Sequence, residues 1–198
     1  MKIGIVGASE EKWTGTQKAQ VKVKIKRILS FAENDVLVDS EETVIGSKVI
    51  NISKSVDVIL VSGGCPKGGV DIWAEEVADE LGFKKEIYKP EVNQWNDELR
   101  NWETWAKGYR SRNIQVANAS DILYVISPKC DKCVDGMEIG FVDKDGIKHP
   151  RIEYDMVEGS NWNIMCKKCK GTNSVWNGGE WTGNYAEKIG KRVVRVTI

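Results

Sequence analysis

The segment from Asp57 to Gly82 allows few architectures. Val58-Ile59-Leu60-Val61 is an unbroken apolar run, too short for a helix, and it ends in Ser62-Gly63-Gly64-Cys65-Pro66-Lys67-Gly68-Gly69. Beyond the glycines, Val70, Trp73, Ala74, Val77, Ala78 and Leu81 follow the spacing of one helical stripe, and Gly82 supplies the stop. A strand apolar on both faces, followed through a glycine turn by an amphipathic helix, is the repeating unit of a parallel sheet covered by helices. Unpaired N–H groups at the start of such a helix sit at the positive end of its dipole, where a phosphate fits. Glycine leaves room for the ligand to approach the backbone.

The same unit recurs along the chain. Residues 2–6 read as a buried strand that turns at Gly7-Ala8-Ser9. Residues 16–33 carry two patterns: Val21, Val23 and Ile25 alternate as a strand would, whereas Val21, Ile25, Ile28, Leu29 and Ala32 follow helical spacing, and the length favours a helix. Two apolar runs, at 36–38 and 49–52, have no clear assignment. Strands are expected at 85–88, 121–126 and 192–196, and helices through Arg110, Ile114 and Ala117 and through Trp181, Tyr185, Ala186 and Ile189. Trp95, Leu99, Trp102 and Ala106 lie on one face of a helix or long loop. Alternating strands and helices imply an α/β fold, a doubly wound, mostly parallel, Rossmann-like sheet. Its glycine turns fall at Gly4 to Ser9, Ser62 to Gly69 and Gly178 to Thr182, three junctions read as lying at the carboxyl ends of parallel strands, where open α/β sheets bind ligands.

The Ser62–Gly82 stretch resembles the signature of the SLOG superfamily, which includes the Lonely Guy enzymes, DprA and the YspA/YpsA-type nucleotide sensors. The matching residues are Ser62, Gly63, Gly64, Gly69, Asp71, Ala74, Ala78, Leu81 and Gly82, with Cys65 at a small-residue position and one extra residue in the loop. Ile3 to Ser9 resembles the family's opening strand and turn, Arg112-Asn113 its RN helix, and Gly178-Gly179 with Thr182 its last phosphate loop. The resemblance implies a nucleotide-type ligand, with Gly7, Ser9, Ser62, Gly63, Gly64, Lys67, Gly69, Asp71, Arg112, Asn113, Gly178, Gly179 and Thr182 as binding residues. Lonely Guy enzymes place a glutamate in the last loop to assist cleavage of an N-glycosidic bond. Here Asn184, Tyr185 and Ala186 occupy that stretch, which leaves Asp71 and Glu180 as the acids for any such reaction. Cys65, beside a helix start, has two readings: a reactive thiol of lowered pKa, or a small buried residue.

Cys130-Asp131-Lys132-Cys133 and Cys166-Lys167-Lys168-Cys169 form two CxxC pairs separated by 32 residues. Four thiolates close the tetrahedral shell of zinc and leave no position for water, so Cys130, Cys133, Cys166 and Cys169 are read as a structural zinc site; redox use of the pairs is the alternative. Lysines at 129, 132, 167, 168 and 170 offset the formal charge of minus two. Between the pairs, Ile139, Phe141, Val142, Ile147, Ile152, Tyr154, Met156 and Val157 surround Asp143-Lys144-Asp145-Gly146, a hairpin signal, and His149 is read as a surface residue. The division that follows is a nucleotide-binding core of 1–127 and 174–198, with a zinc-ribbon-like insert at 128–173.

Lys plus Arg equals Asp plus Glu at 29 each, so no global field draws the chain to nucleic acid or an anionic membrane. No charged leader precedes an apolar core at Met1, and no apolar stretch approaches the ~20 residues of a membrane span. A soluble cytoplasmic protein is expected, and a homo-oligomer is compatible with these features. Three functions stay open: a nucleotide binder or sensor, a phosphoribohydrolase-type enzyme acting on nucleoside monophosphates, and a DprA-like nucleic-acid binder, which the balanced charge disfavours.

Overall fold

The computed structural model describes residues 1–38, 42–45, 48–51, 57–91, 108–134, 137–154, 161–163, 165–170 and 173–198. Strand β1 (Lys2–Gly7) is followed by a short 3-10 turn (Glu10–Lys12) and helix α1 (Gly15–Val38). A hairpin of β2 (Glu42–Ile45) and β3 (Lys48–Asn51) precedes β4 (Ile59–Ser62), α2 (Val70–Leu81) and β5 (Lys84–Ile87). Then come α3 (Tyr109–Ala119) and β6 (Ile122–Ser127). Short strands β7 (Cys133–Val134), β8 (Met137–Val142), β9 (Lys148–Pro150), β10 (Ile152–Tyr154) and β11 (Asn161–Asn163) fill the region before α4 (Gly178–Lys188) and β12 (Arg192–Thr197).

Five strands form one sheet in the order β12-β6-β1-β4-β5, with every neighbouring pair parallel. Alternate residues feed two cores. Ile3 and Ile5 of β1, Leu60 of β4 and Ile126 of β6 pack under α1 and α2 with Val21, Ile25, Leu29, Trp73 and Val77. Val6, Val61, Leu123 and Val125 face α3 and α4, against Val116, Ala117 and Ala186. Both faces of the sheet are therefore covered, which is why its strands read as continuous apolar runs rather than as alternation.

The helical pattern prevails in α1. Val21, Ile25, Ile28 and Leu29 are buried while Val23 is 54% exposed, and the helix runs beyond the expected 16–33 to include the unassigned residues 36–38. Residues 49–51 belong to β3, so among the described residues neither run enters the parallel sheet. The expected strands at 85–88 and 121–126 are each displaced by one residue, to 84–87 and 122–127, and α3, α4 and β12 lie where the sequence puts them. Trp95, Leu99, Trp102, Ala106, Met156 and Val157 fall outside the described residues. The hairpin at 143–146 forms between β8 and β9: Asp143 Oδ1 accepts the N–H groups of Asp145 (3.0 Å) and Ile147 (2.9 Å), and Gly146 takes φ +80°. His149 is not a bare surface residue, since it stacks on Phe141 at 4.5 Å and lies 2.9 Å from Asp143 Oδ2.

The region between β6 and α4 leaves and rejoins the core at adjacent points. Lys129 and Ser174 form an antiparallel bridge, flanked by hydrogen bonds from Cys130 N–H to Asn173 O (2.7 Å) and from Val175 N–H to Pro128 O (2.9 Å). No helix among the described residues is long and apolar enough to cross a membrane.

Candidate functional site

The chain leaves β1 toward β4 on one side, while β6 lies on the other side, so the carboxyl end of β1 is the switch point of the sheet. A cleft of about 180 Å³ opens there. Its walls are the end of β1 (Val6, Gly7, Ser9, Lys12), the β4–α2 loop (Cys65, Lys67, Asp71), the first turns of α3 (Tyr109, Arg112, Asn113) and the start of α4 (Asn177, Gly178, Gly179, Thr182).

Glycine is required where these walls meet. A Cβ on Gly179 would lie 2.6 Å from Gly7 Cα, and one on Gly69 would lie 2.4 Å from Ala8 O. Backbone contact thus sets the width of the cleft, and neither contact tolerates a side chain. Gly69 also holds φ +94°, at the start of α2. On the far wall, Asn113 Nδ2 (3.3 Å) and Thr182 Oγ1 (2.7 Å) both donate to Gly178 O, which ties α3 to α4.

The floor is ionic. Arg112 Nη1 donates to Asp71 Oδ2 at 2.9 Å and to Gly63 O, with both charged side chains over nine-tenths buried. Burial pushes the Asp71 carboxyl above the ordinary carboxylate range against the pull of Arg112, and the Glu75 charge adds to the rise. Arg112 Nε is buried without a partner among the described residues. Lys12 and Lys67 flank the mouth, both exposed, and Ser9 Oγ donates to Glu11 Oε1 at 2.7 Å. Burial, with Asp71 nearby, raises the Cys65 thiol, so the lowered pKa of a reactive thiol is not found there.

The structure brings together Gly7, Ser9, Lys67, Asp71, Arg112, Asn113, Gly178, Gly179 and Thr182, and it sets the other sequence candidates apart. Ser62 is fully buried and donates to Glu75 Oε1 at 2.7 Å. Gly63 lies behind the Arg112 guanidinium, and a Cβ on Gly64 would meet Ile87 and Lys89, not the cleft. Glu180 is buried away from the cleft lining, with Oε2 accepting from Arg195 Nε at 3.3 Å. Tyr109, Lys12 and Asn177 were not legible as cleft residues. Asn177 caps α4: its Oδ1 accepts from Gly179 N–H (2.7 Å) and Glu180 N–H (3.3 Å), and its Nδ2 donates to Ser127 Oγ (2.9 Å). An Asn directly before a helix-opening Gly-Gly is the signal that would have found it.

A second site lies in the insert. Cys130, Cys133, Cys166 and Cys169 are all buried, with their sulfurs within 4.8 Å of one another. The Cys130–Cys166 and Cys133–Cys169 sulfur separations are 3.8 and 3.5 Å. A tetrahedral ion with metal–sulfur bonds of ~2.3 Å has edges of roughly 3.8 Å, so these four can hold one metal ion. Lys170 at φ +51° and its N–H to Cys166 O (2.7 Å) close the second knuckle. Burial and the neighbouring thiols push Cys133 up to about 12, a cost that a bound cation reverses.

No family model and no curated protein matches the chain. Two solved structures are similar to part of it. One is TM1055, an X-ray structure from the Northeast Structural Genomics Consortium, with 14% identity and a TM-score of 0.39 over 64% of this chain and 60% of that one. The other is DNA processing protein A (DprA) from Streptococcus pneumoniae, with 14% identity and a TM-score of 0.34 over 63% of this chain and 40% of that one. The chain thus spans three-fifths of the length of the first and two-fifths of the second.

Proposed function

We propose that the cleft binds a nucleotide or nucleotide-derived phosphate ligand, and that the four cysteines hold a structural zinc ion in a zinc-ribbon-like insert spanning 128–173. The observation that carries the first part is the convergence on the switch point of the sheet of Gly7 and Ser9, of Lys67 and Asp71 around the second glycine loop, of Gly178 and Gly179, and of the first turns of α3. Lys12 and Lys67 suit an anion at the mouth, and the buried Arg112 Nε–H has no acceptor among the described residues, the kind of donor whose unmet hydrogen bond costs about 1–3 kcal/mol. The likeness of Ser62–Gly82 to the SLOG loop agrees. For the metal, four soft thiolates in a tetrahedron suit zinc, and a filled shell suits a structural role.

A hydrolytic role is the second reading, favoured by one observation: Asp71 is a cleft carboxyl with a raised pKa, as a general acid requires. Its oxygen is held by Arg112, however, and Glu180 is held by Arg195, so neither is poised for proton transfer. The expected outcome is that the protein binds AMP in a calorimetric titration and releases no adenine. Lys67→Ala should weaken that binding about tenfold, the loss of one charge-assisted contact. Adenine accumulating over many turnovers, and ceasing in Asp71→Asn, would establish an enzyme. Absence of binding by AMP, GMP, CMP and UMP at millimolar concentration would dismiss the nucleotide reading.

A further inference from the structure

The cysteine centre and the cleft share a connector of a few residues. Trp176 N–H donates to Lys168 O inside the second knuckle at 3.2 Å, and the Lys170 ammonium lies 4.2 Å from the Trp176 ring. The carbonyl of the same residue accepts from Lys12 Nζ, at the mouth of the cleft, at 3.4 Å. The next residue, Asn177, caps α4 through Gly179 and Glu180 and is anchored to the end of β6 through Ser127.

From these contacts we infer that metal loading of the four-cysteine centre controls the order of the start of α4, and through it the competence of the cleft. Its functional consequence rests on the nucleotide reading above; the structural coupling does not. Without an ion, α4 is joined to β6 by the whole of residues 128–177, a loop of 50. An ion linking Cys130 to Cys169 shortens the effective closure to about a dozen residues. Loop-closure probability scales roughly as length to the power −3/2, so this alone favours the closed, capped arrangement about tenfold. The knuckle's own contacts to Trp176 act in the same direction. By linkage, a ligand that needs the capped α4 must in turn tighten metal binding by the same factor.

The test is amide hydrogen exchange on the full chain, zinc-loaded and after chelation, with β1 and β4 as internal references. Gly179 and Glu180 amides are expected to exchange about tenfold faster or more in the metal-free protein while β1 and β4 keep their protection. Cys166→Ser without chelator should reproduce that pattern. AMP affinity, measured in both metal states, should fall by a similar factor. Unchanged exchange at Gly179 and Glu180 overturns the coupling and leaves the nucleotide reading intact. Equal loss of protection in β1 and β4 also overturns it, since the metal would then support the fold as a whole. Faster exchange at α4 with equal AMP affinity in the two states overturns the control of the cleft. Faster exchange with no AMP binding in either state supports the coupling and removes the nucleotide reading.

Discussion

Serine in place of Cys130, Cys133, Cys166 or Cys169 is expected to abolish tight zinc binding and unfold the insert, while the parallel sheet remains folded. The effect should be large because, among the described residues of the insert, the apolar side chains outside the cysteine cluster are largely exposed. Phe141, Val142, Ile147, Ile152 and Met165 are each more than half exposed, and the cysteines form the one buried apolar cluster described there. Structural zinc of this kind supplies roughly 10–16 kcal/mol of apparent binding free energy near neutral pH, and for a small module that is folding free energy. Metal analysis of the purified protein should give one zinc per chain, and near zero in each variant. Circular dichroism should show the helices of the core retained. A wild-type protein without metal whose insert resists proteolysis would rule out zinc as its organiser.

The second large effect is expected at Arg112. Truncation to alanine leaves the Asp71 carboxylate buried beneath the cleft without its counter-charge, and breaking a buried pair in this way costs about 3–5 kcal/mol. The pH dependence has a defined sign. Asp71 already titrates above its ordinary value, and loss of Arg112 removes the influence that lowers it. A carboxyl raised in the folded state binds protons more readily there than in the unfolded chain. Its stabilising contribution is therefore fully present below the ordinary carboxylate pKa and is lost as pH rises through the raised value. Urea midpoints for Arg112→Ala should accordingly move closer to wild type as the buffer is acidified. Adding Asp71→Asn should recover much of the loss at neutral pH. A single variant within 1 kcal/mol of wild type, or one that weakens further in acid, would contradict a buried pair at this position.

The parts of the fold that were legible share one cause. β1, β4 and β6 lie in the middle of the sheet and are covered on both faces, so their apolar runs are plain in the sequence, and β1 and β4 end at glycine turns. The edge strand β5 carries Lys84, Lys85 and Glu86, charge that solvent tolerates at a sheet edge, so its signal is weaker than that of the central strands. In α1 the local alternation of valine and lysine imitates a strand, and the helix is legible only over the longer span that takes in Ile28 and Leu29, both of which pack in the core. The cleft was half visible. Its glycines follow from backbone contact, and contact leaves a mark in sequence. Lys12, Tyr109 and Asn177 enter it through the crossing of segments far apart in the chain, which no local pattern records. Ser62, Gly63, Gly64 and Gly69 were legible as a motif, but that they pack against neighbouring segments and do not line the cleft was not, because a glycine required for packing and one required for a ligand look alike in sequence.

The bridge between Lys129 and Ser174 closes the insert at its base. Where an insertion departs and returns through neighbouring residues, the strands of the parent sheet need not register what lies between, and only the adjoining start of α4 feels whether the module is closed. Joining Lys129 to Ser174 through a short turn would replace a coordination bond by a peptide bond, and the trimmed chain would have its α4 secured with no demand for metal.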